Sequence, residues 1–201
     1  MDKIQISFIL ILLVSILTVT GAAYAEDDVS YSMPSIHEDL FVQSNGALHV
    51  KEVIHYSFSG TAHGVYRDLH LEEGQSISNL KVSTSGAYST YTVTDTDEGK
   101  RITVYLYSDA QKTNPISGGD VYVTYEYDFL HGIKVYNDVA DLQYKLWGEG
   151  WEAPVNQLTA TVHVASSQGV KYWLNPPYSA EGSKWQGNVF NLTTTELEPG
   201  D

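Results

Sequence analysis

"LHVKEVIHYSFSGTAHGVYRDLHL", residues 48–71, decides the fold. Read as two extended segments, its side chains alternate between two faces. The first segment puts Leu48, Val50, Glu52, Ile54, Tyr56 and Phe58 on one face. The second puts Val65, Arg67, Leu69 and Leu71 on one face, with Tyr66, Asp68 and His70 on the other. Each apolar face therefore carries one charge, Glu52 on the first and Arg67 on the second. Either charge buried alone costs several kcal/mol, whereas a hydrogen-bonded pair largely cancels that cost. The short connection "SGTAH" leads to the expectation that the two strands are neighbours and that Glu52 and Arg67 form a structural ion pair. The competing reading is an anion site built on Arg67.

The same alternation continues on both sides. Ile36, Glu38, Leu40 and Val42 alternate with His37, Asp39, Phe41 and Gln43, and "SNG" at 44–46 turns the chain. Further strands are expected at 77–84, 88–95, 100–107, 120–129, 140–147, 156–165, 170–175 and 188–194. The segments between them carry Asp, Gly, Asn and Pro, the residues of tight turns. No stretch after the N-terminus has a helical period. Many short strands with turn chemistry predict an all-β fold, an antiparallel β-sandwich.

The N-terminus reads differently. Lys3 precedes the apolar run "FILILLVSILTV" at 8–19, and "GAAYA" ends at Ala25 with small residues at 23 and 25. This is the pattern of a secretory signal peptide, and the run is short for a membrane span. The expected organisation is a signal peptide over 1–25, a short linker over 26–35 and the β-sandwich over 36–201. Eleven Lys and Arg against 25 Asp and Glu give a net charge of −14. Removing residues 1–25 takes away one acid, Asp2, and one base, Lys3, so the mature charge is unchanged. So acidic a chain repels phosphate backbones, which argues against a nucleic-acid partner. Without cysteine, an exported domain depends on its apolar core alone.

"DLFVQSNGALHVKEVIHYSFSGTAHGVYRDLHL" (39–71) and "LWGEGWEAPVNQLTATVHV" (146–164) together resemble the N-terminal domain of predicted membrane proteins, domain of unknown function 2207. The resemblance rests on Gly46, Val50, Glu52, Phe58, Gly64, Tyr66 and Arg67, and on Trp151, Pro154 and Val155. It implies a signal peptide, an extracytoplasmic β-domain and, after it, transmembrane helices. On that reading the chain continues beyond "ELEPGD" into a membrane segment. The resemblance implies no activity.

Chemistry is sparse. The seven histidines, at 37, 49, 55, 63, 70, 131 and 163, include no pair with metal-ligand spacing. "DTDEGK" at 95–100 clusters three carboxylates but lacks the remaining ligands of a calcium loop, and Asp and Gly are ordinary hairpin residues. Glu149 and Glu152 lie between Trp147 and Trp151, yet two glutamates three apart do not face each other across a sugar. No phosphate loop, nucleophile elbow or zinc-protease motif occurs. No metal, no cofactor and no catalysis are expected. Trp147 and Trp151 read first as core; exposed, Trp151, Trp173 and Trp185 would serve as a ligand-binding platform. Asn191-Leu192-Thr193 is a glycosylation acceptor triplet. The expected role is a sensor or interaction domain at the outer face of the cell membrane, with a protein or cell-surface ligand as partner. The alternative is a secreted carbohydrate-binding module.

Overall fold

A computed structural model of the chain describes residues 29–147, 151–174 and 183–199. The expected signal peptide lies outside the described residues. Among those described, no helix is long and apolar enough to cross a membrane.

Seven strands form the large sheet, in the order β11 (Lys184–Gln186), β12 (Val189–Leu197), β10 (Val155–His163), β1 (Ser30–Val42), β2 (Leu48–Ser59), β7 (Gly119–Leu130) and β4 (Ser76–Ser85). A second sheet has the order β3 (Gly64–His70), β6 (Gly99–Tyr107), β5 (Tyr88–Thr96). β8 (Ile133–Val135) and β9 (Ala140–Leu142) form a small ribbon.

The core follows from the alternation. β2 buries Leu48, Val50, Glu52, Ile54, Tyr56 and Phe58, and β7 buries Val121, Val123, Tyr125, Tyr127 and Phe129 on the same side. From the other sheet, Leu69, Ile102, Val104 and Leu106 enter the same core. One strand of a sheet gives one apolar and one wet face when only one side is covered, and the burial pattern of β2 and β7 is that pattern.

The structure departs from the sequence expectations at five places. First, β2 and β3 are not neighbours: both edges of β2 are taken by β1 and β7, so "SGTAH" carries the chain to the other sheet. Second, β1 pairs with β10 in parallel, within otherwise antiparallel sheets. Third, β1 begins at Ser30, inside the expected linker. Its register on β2 shifts between Ser32 and Ser35, around Pro34, because proline has no N–H for the ladder. Fourth, residues 170–174 form no strand; at Val189–Asn191 it is β11 that pairs with the outer side of β12. Fifth, the strand expected at 140–147 ends at Leu142. The short strands β8 and β11 carry too few residues to show a period.

Candidate functional site

Arg67 leaves β3 toward the large sheet and meets Glu52 of β2. Its Nε donates to both carboxylate oxygens, at 3.1 and 2.9 Å, and its Nη1 donates to the Asp68 carbonyl at 2.8 Å. The Glu52 side chain is 0% exposed and that of Arg67 13%. The pair thus joins the two sheets through the core. Above it, the Arg67 guanidinium lies 4.9 Å from the centre of the Trp151 ring. Trp151 in turn stacks on Trp147 at 4.9 Å and 4°. The Trp147 Nε1 donates to the Glu198 carbonyl at 2.8 Å, tying the stack to the end of β12.

A second carboxyl completes the cluster. Glu38 of β1 stands directly opposite Glu52 in the antiparallel register and is also 0% exposed. Neither of its oxygens makes a well-aligned hydrogen bond among the described residues, although the Tyr144 hydroxyl lies close enough to interact with it. Burial, and then the Glu52 charge, push the Glu38 carboxyl well above the usual glutamate range. Arg67 and Tyr144 oppose this only in part. Arg67 is bonded to Glu52 and not to Glu38, so burial and the neighbouring Glu52 charge favour the protonated form of Glu38. For Arg67 itself burial works downward, but the Glu52 charge and hydrogen bonds outweigh it and hold the guanidinium firmly ionised. Burial and then Glu52 raise Tyr125 and Tyr127, which therefore remain hydroxyls; Tyr127 shares a 3.1 Å bond with Tyr144.

On the solvent side, the opposite face of β3 builds a polar cover. The Tyr66 hydroxyl donates to Glu152 at 2.6 Å, and that bond is the main reason its pKa is pushed up to about 12. Arg101 of β6 grips Asp68 with two bonds, at 2.7 and 2.6 Å, and lies 4.1 Å from the Tyr66 ring centre. Gly64 lets β3 approach β6: a Cβ there would stand 2.3 Å from the Val104 carbonyl oxygen.

The sequence candidates thus separate into groups. Glu52, Arg67, Tyr66, Trp151 and Glu152 converge, although they come from three distant segments. Trp151 and Trp185 are half-buried, Trp185 packing on Phe190. Trp173 is 81% exposed, and its neighbour Tyr172 also packs on Phe190. Trp151 precedes Val155, at one end of β10, whereas Phe190 pairs with Val162 near the other end. At ~3.3 Å per residue that separation is about 23 Å, so the three tryptophans do not share one platform. Glu149 lies outside the described residues. In the "DTDEGK" turn, Asp95 is held by Lys100 at 2.5 Å. His49 bonds Asp128 at 2.8 Å and His55 bonds Asp120 at 3.1 Å. No cluster of three or more His, Asp or Glu suited to a metal occurs among the described residues. The Asn191 side-chain nitrogen is buried between β10 and β11, a poor position for a glycan. Glu38 was missed as a site residue although its signal was present: it interrupts the apolar face of β1 as Glu52 interrupts that of β2.

The arrangement defines an all-β domain in which the two sequence segments that carry the resemblance meet around one buried charge cluster. The chain belongs to the family described as predicted membrane protein (DUF2207) N-terminal domain, whose pattern matches residues 32–201. No curated protein matches it. Among solved structures it is similar to a putative protease from Parabacteroides distasonis, at 9% identity and a TM-score of 0.46, over 85% of this chain and 36% of that one. It is also similar to leukotriene A4 hydrolase from Saccharomyces cerevisiae (8%, 0.46; 85% and 28%). A third is an M1 zinc metallopeptidase from Deinococcus radiodurans (14%, 0.46; 84% and 40%). The chain spans less than half the length of each.

Proposed function

We propose that this chain is a non-catalytic extracytoplasmic domain of a membrane-anchored protein, serving as a sensor or interaction module. The observation that carries the reading is that residues on which the resemblance rests converge on Glu52–Arg67 and its tryptophan cover. Glu52–Arg67 is spent on joining two sheets and is almost wholly buried, while Tyr66 is bonded to Glu152 and Asp68 to Arg101. A carboxylate already committed to a guanidinium or a phenol is poorly placed as a general base. The shared core of the two sheets supports a β-sandwich. The apolar run at 8–19, ending in "GAAYA", supports export with cleavage after Ala25.

The test has two arms. N-terminal sequencing of the protein from its membrane fraction is expected to begin at Glu26; a retained Met1 refutes the cleavage. Protease added to intact cells is expected to remove the domain. Full protection until the membrane is broken would refute the extracytoplasmic placement.

One observation favours carbohydrate binding as a second reading: Trp173 presents its ring to solvent. Binding on a glycan array that is lost in Trp173→Ala would put that reading first.

A further inference from the structure

Sheet edges offer unpaired N–H and C=O groups, and proteins blunt them with charge, bulges, short strands or covering loops. The described edges here obey that rule with one exception. β11 has only three residues, and the part of β12 that runs past it carries a charge in a positive-φ conformation, Glu196 at φ 55°. β4 carries a register shift between Ser78 and Lys81, with Asn79 at φ 55°, and an exposed lysine. β3 carries Arg67 and Asp68, with Tyr66 bonded to Glu152. β5, "YSTYTVTDT", runs nine residues in unbroken register on β6 and has no charge before Asp95. Its inward-facing Tyr91 and Val93, opposite the buried Val104 and Ile102, are nevertheless each 41% exposed. On its inner end β5 touches β4: Ser89 bonds Thr84 at 2.9 Å, and the Tyr91 hydroxyl donates to the Leu80 carbonyl at 3.5 Å. Its outer backbone ladder, however, has no strand partner among the described residues, and Tyr91 and Val93 stay partly exposed.

We propose that β5 pairs antiparallel with the β5 of a second copy of this chain, about a two-fold axis at Thr92. That register sets Tyr91 against the partner's Val93 on the apolar face, twice. It also sets Thr92 against the partner's Thr92, and Thr90 against the partner's Thr94, on the other face. Aromatic with β-branched and threonine with threonine are among the cross-strand pairs that stabilise sheets. Asp95 falls opposite the partner's Ser89, so no like charges meet despite the acidic chain. The alternatives are poorer. Centring on Tyr91 sets Val93 against the partner's Ser89, and centring on Val93 sets Tyr91 against the partner's Asp95. The product is a continuous six-stranded sheet, β3-β6-β5 joined to its two-fold copy, with an isologous interface that closes on itself.

The chain has no cysteine, so introduced thiols report the register cleanly. The full chain, purified as the cell processes it, is expected to show a two-chain mass by light scattering. Thr92→Cys is expected to cross-link to itself under mild oxidation, at least tenfold faster than Val135→Cys, an exposed position elsewhere. Thr90→Cys is expected to stay uncross-linked alone and to cross-link when mixed with Thr94→Cys. Val93→Lys is expected to give a one-chain mass with an unchanged circular dichroism spectrum. A one-chain mass for the unsubstituted protein overturns the proposal. So does a two-chain mass that Val93→Lys does not alter, or a Thr92→Cys rate equal to that of Val135→Cys.

Discussion

Glu38 and Glu52 face each other across β1 and β2, both wholly buried, and Arg67 is bonded to only one of them. Removing each member of this triad therefore has a different result. Arg67→Met leaves two buried carboxyls with no cation and is expected to cost about 3 kcal/mol or more. Glu52→Leu leaves Arg67 and Glu38 to pair, and is expected to cost less. Replacing both Arg67 and Glu52 should recover much of the loss, since Glu38 is stable as the acid. Urea unfolding of the three variants measures the difference. Equal costs for the two single variants would mean that Glu38 does not respond to its neighbours.

The raised pKa of Glu38 makes stability depend on pH in a particular direction. The native state holds a proton that the unfolded chain releases above the ordinary glutamate range. Stability is therefore expected to fall as pH rises through that range, by at most about 1.4 kcal/mol per unit, until the folded carboxyl also ionises. Asp39, Asp109, Asp120 and Asp128 act oppositely: their pKa values are lowered, so the stability they supply is lost as pH falls below about 3.8. Glu38→Gln should flatten the upper limb and leave the acid limb intact. Unfolding midpoints from pH 5 to pH 8 test this; an unchanged slope in the variant refutes it.

Trp151 covers Arg67 and completes the stack on Trp147. Trp151→Ala is expected to destabilise by about 2 kcal/mol, from lost ring contact and exposure of the guanidinium. Trp151→Phe should restore about half. Denaturant titration followed by circular dichroism, which does not rely on the removed tryptophan, gives the measurement.

Two glycines separate space from backbone conformation. Gly64→Ala places a Cβ against the Val104 backbone, so β3 must move off β6, at an expected cost of about 2 kcal/mol or more. Gly46→Ala meets open space, and only its φ of +83° opposes the methyl, so about 1 kcal/mol is expected. Melting curves of both variants should rank them in that order.

Strands such as β2, β6 and β7 were legible in the sequence because one covered face produces strict alternation. The charges on those faces were legible too, since Glu52 and Arg67 break the alternation and each demands a partner. What alternation does not encode is which strand lies beside which. It gave no sign that β2 and β3 separate into different sheets, that β10 joins β1 in parallel, or that residues 170–174 form no strand. Glu38 shows the same limit. Its position on an apolar face was visible, but its place opposite Glu52 depends on the β1–β2 register. The tryptophans were legible only as large rings; Trp151 lies over Arg67 and Trp173 in solvent because of their loops.

The parallel pairing of β1 with β10 also governs the order in which the molecule can be assembled. β1 ends at Val42 and β10 begins at Val155, so during synthesis one flank of β1 waits for more than a hundred residues. At roughly 5–20 residues per second, that wait lasts on the order of ten seconds. Through that interval a growing chain exposes an unmatched ladder and the apolar side of an incomplete sheet. Folding is thus tied to the arrival of the last quarter of the polypeptide, and a chain interrupted before Val155 is a natural substrate for chaperones and proteases.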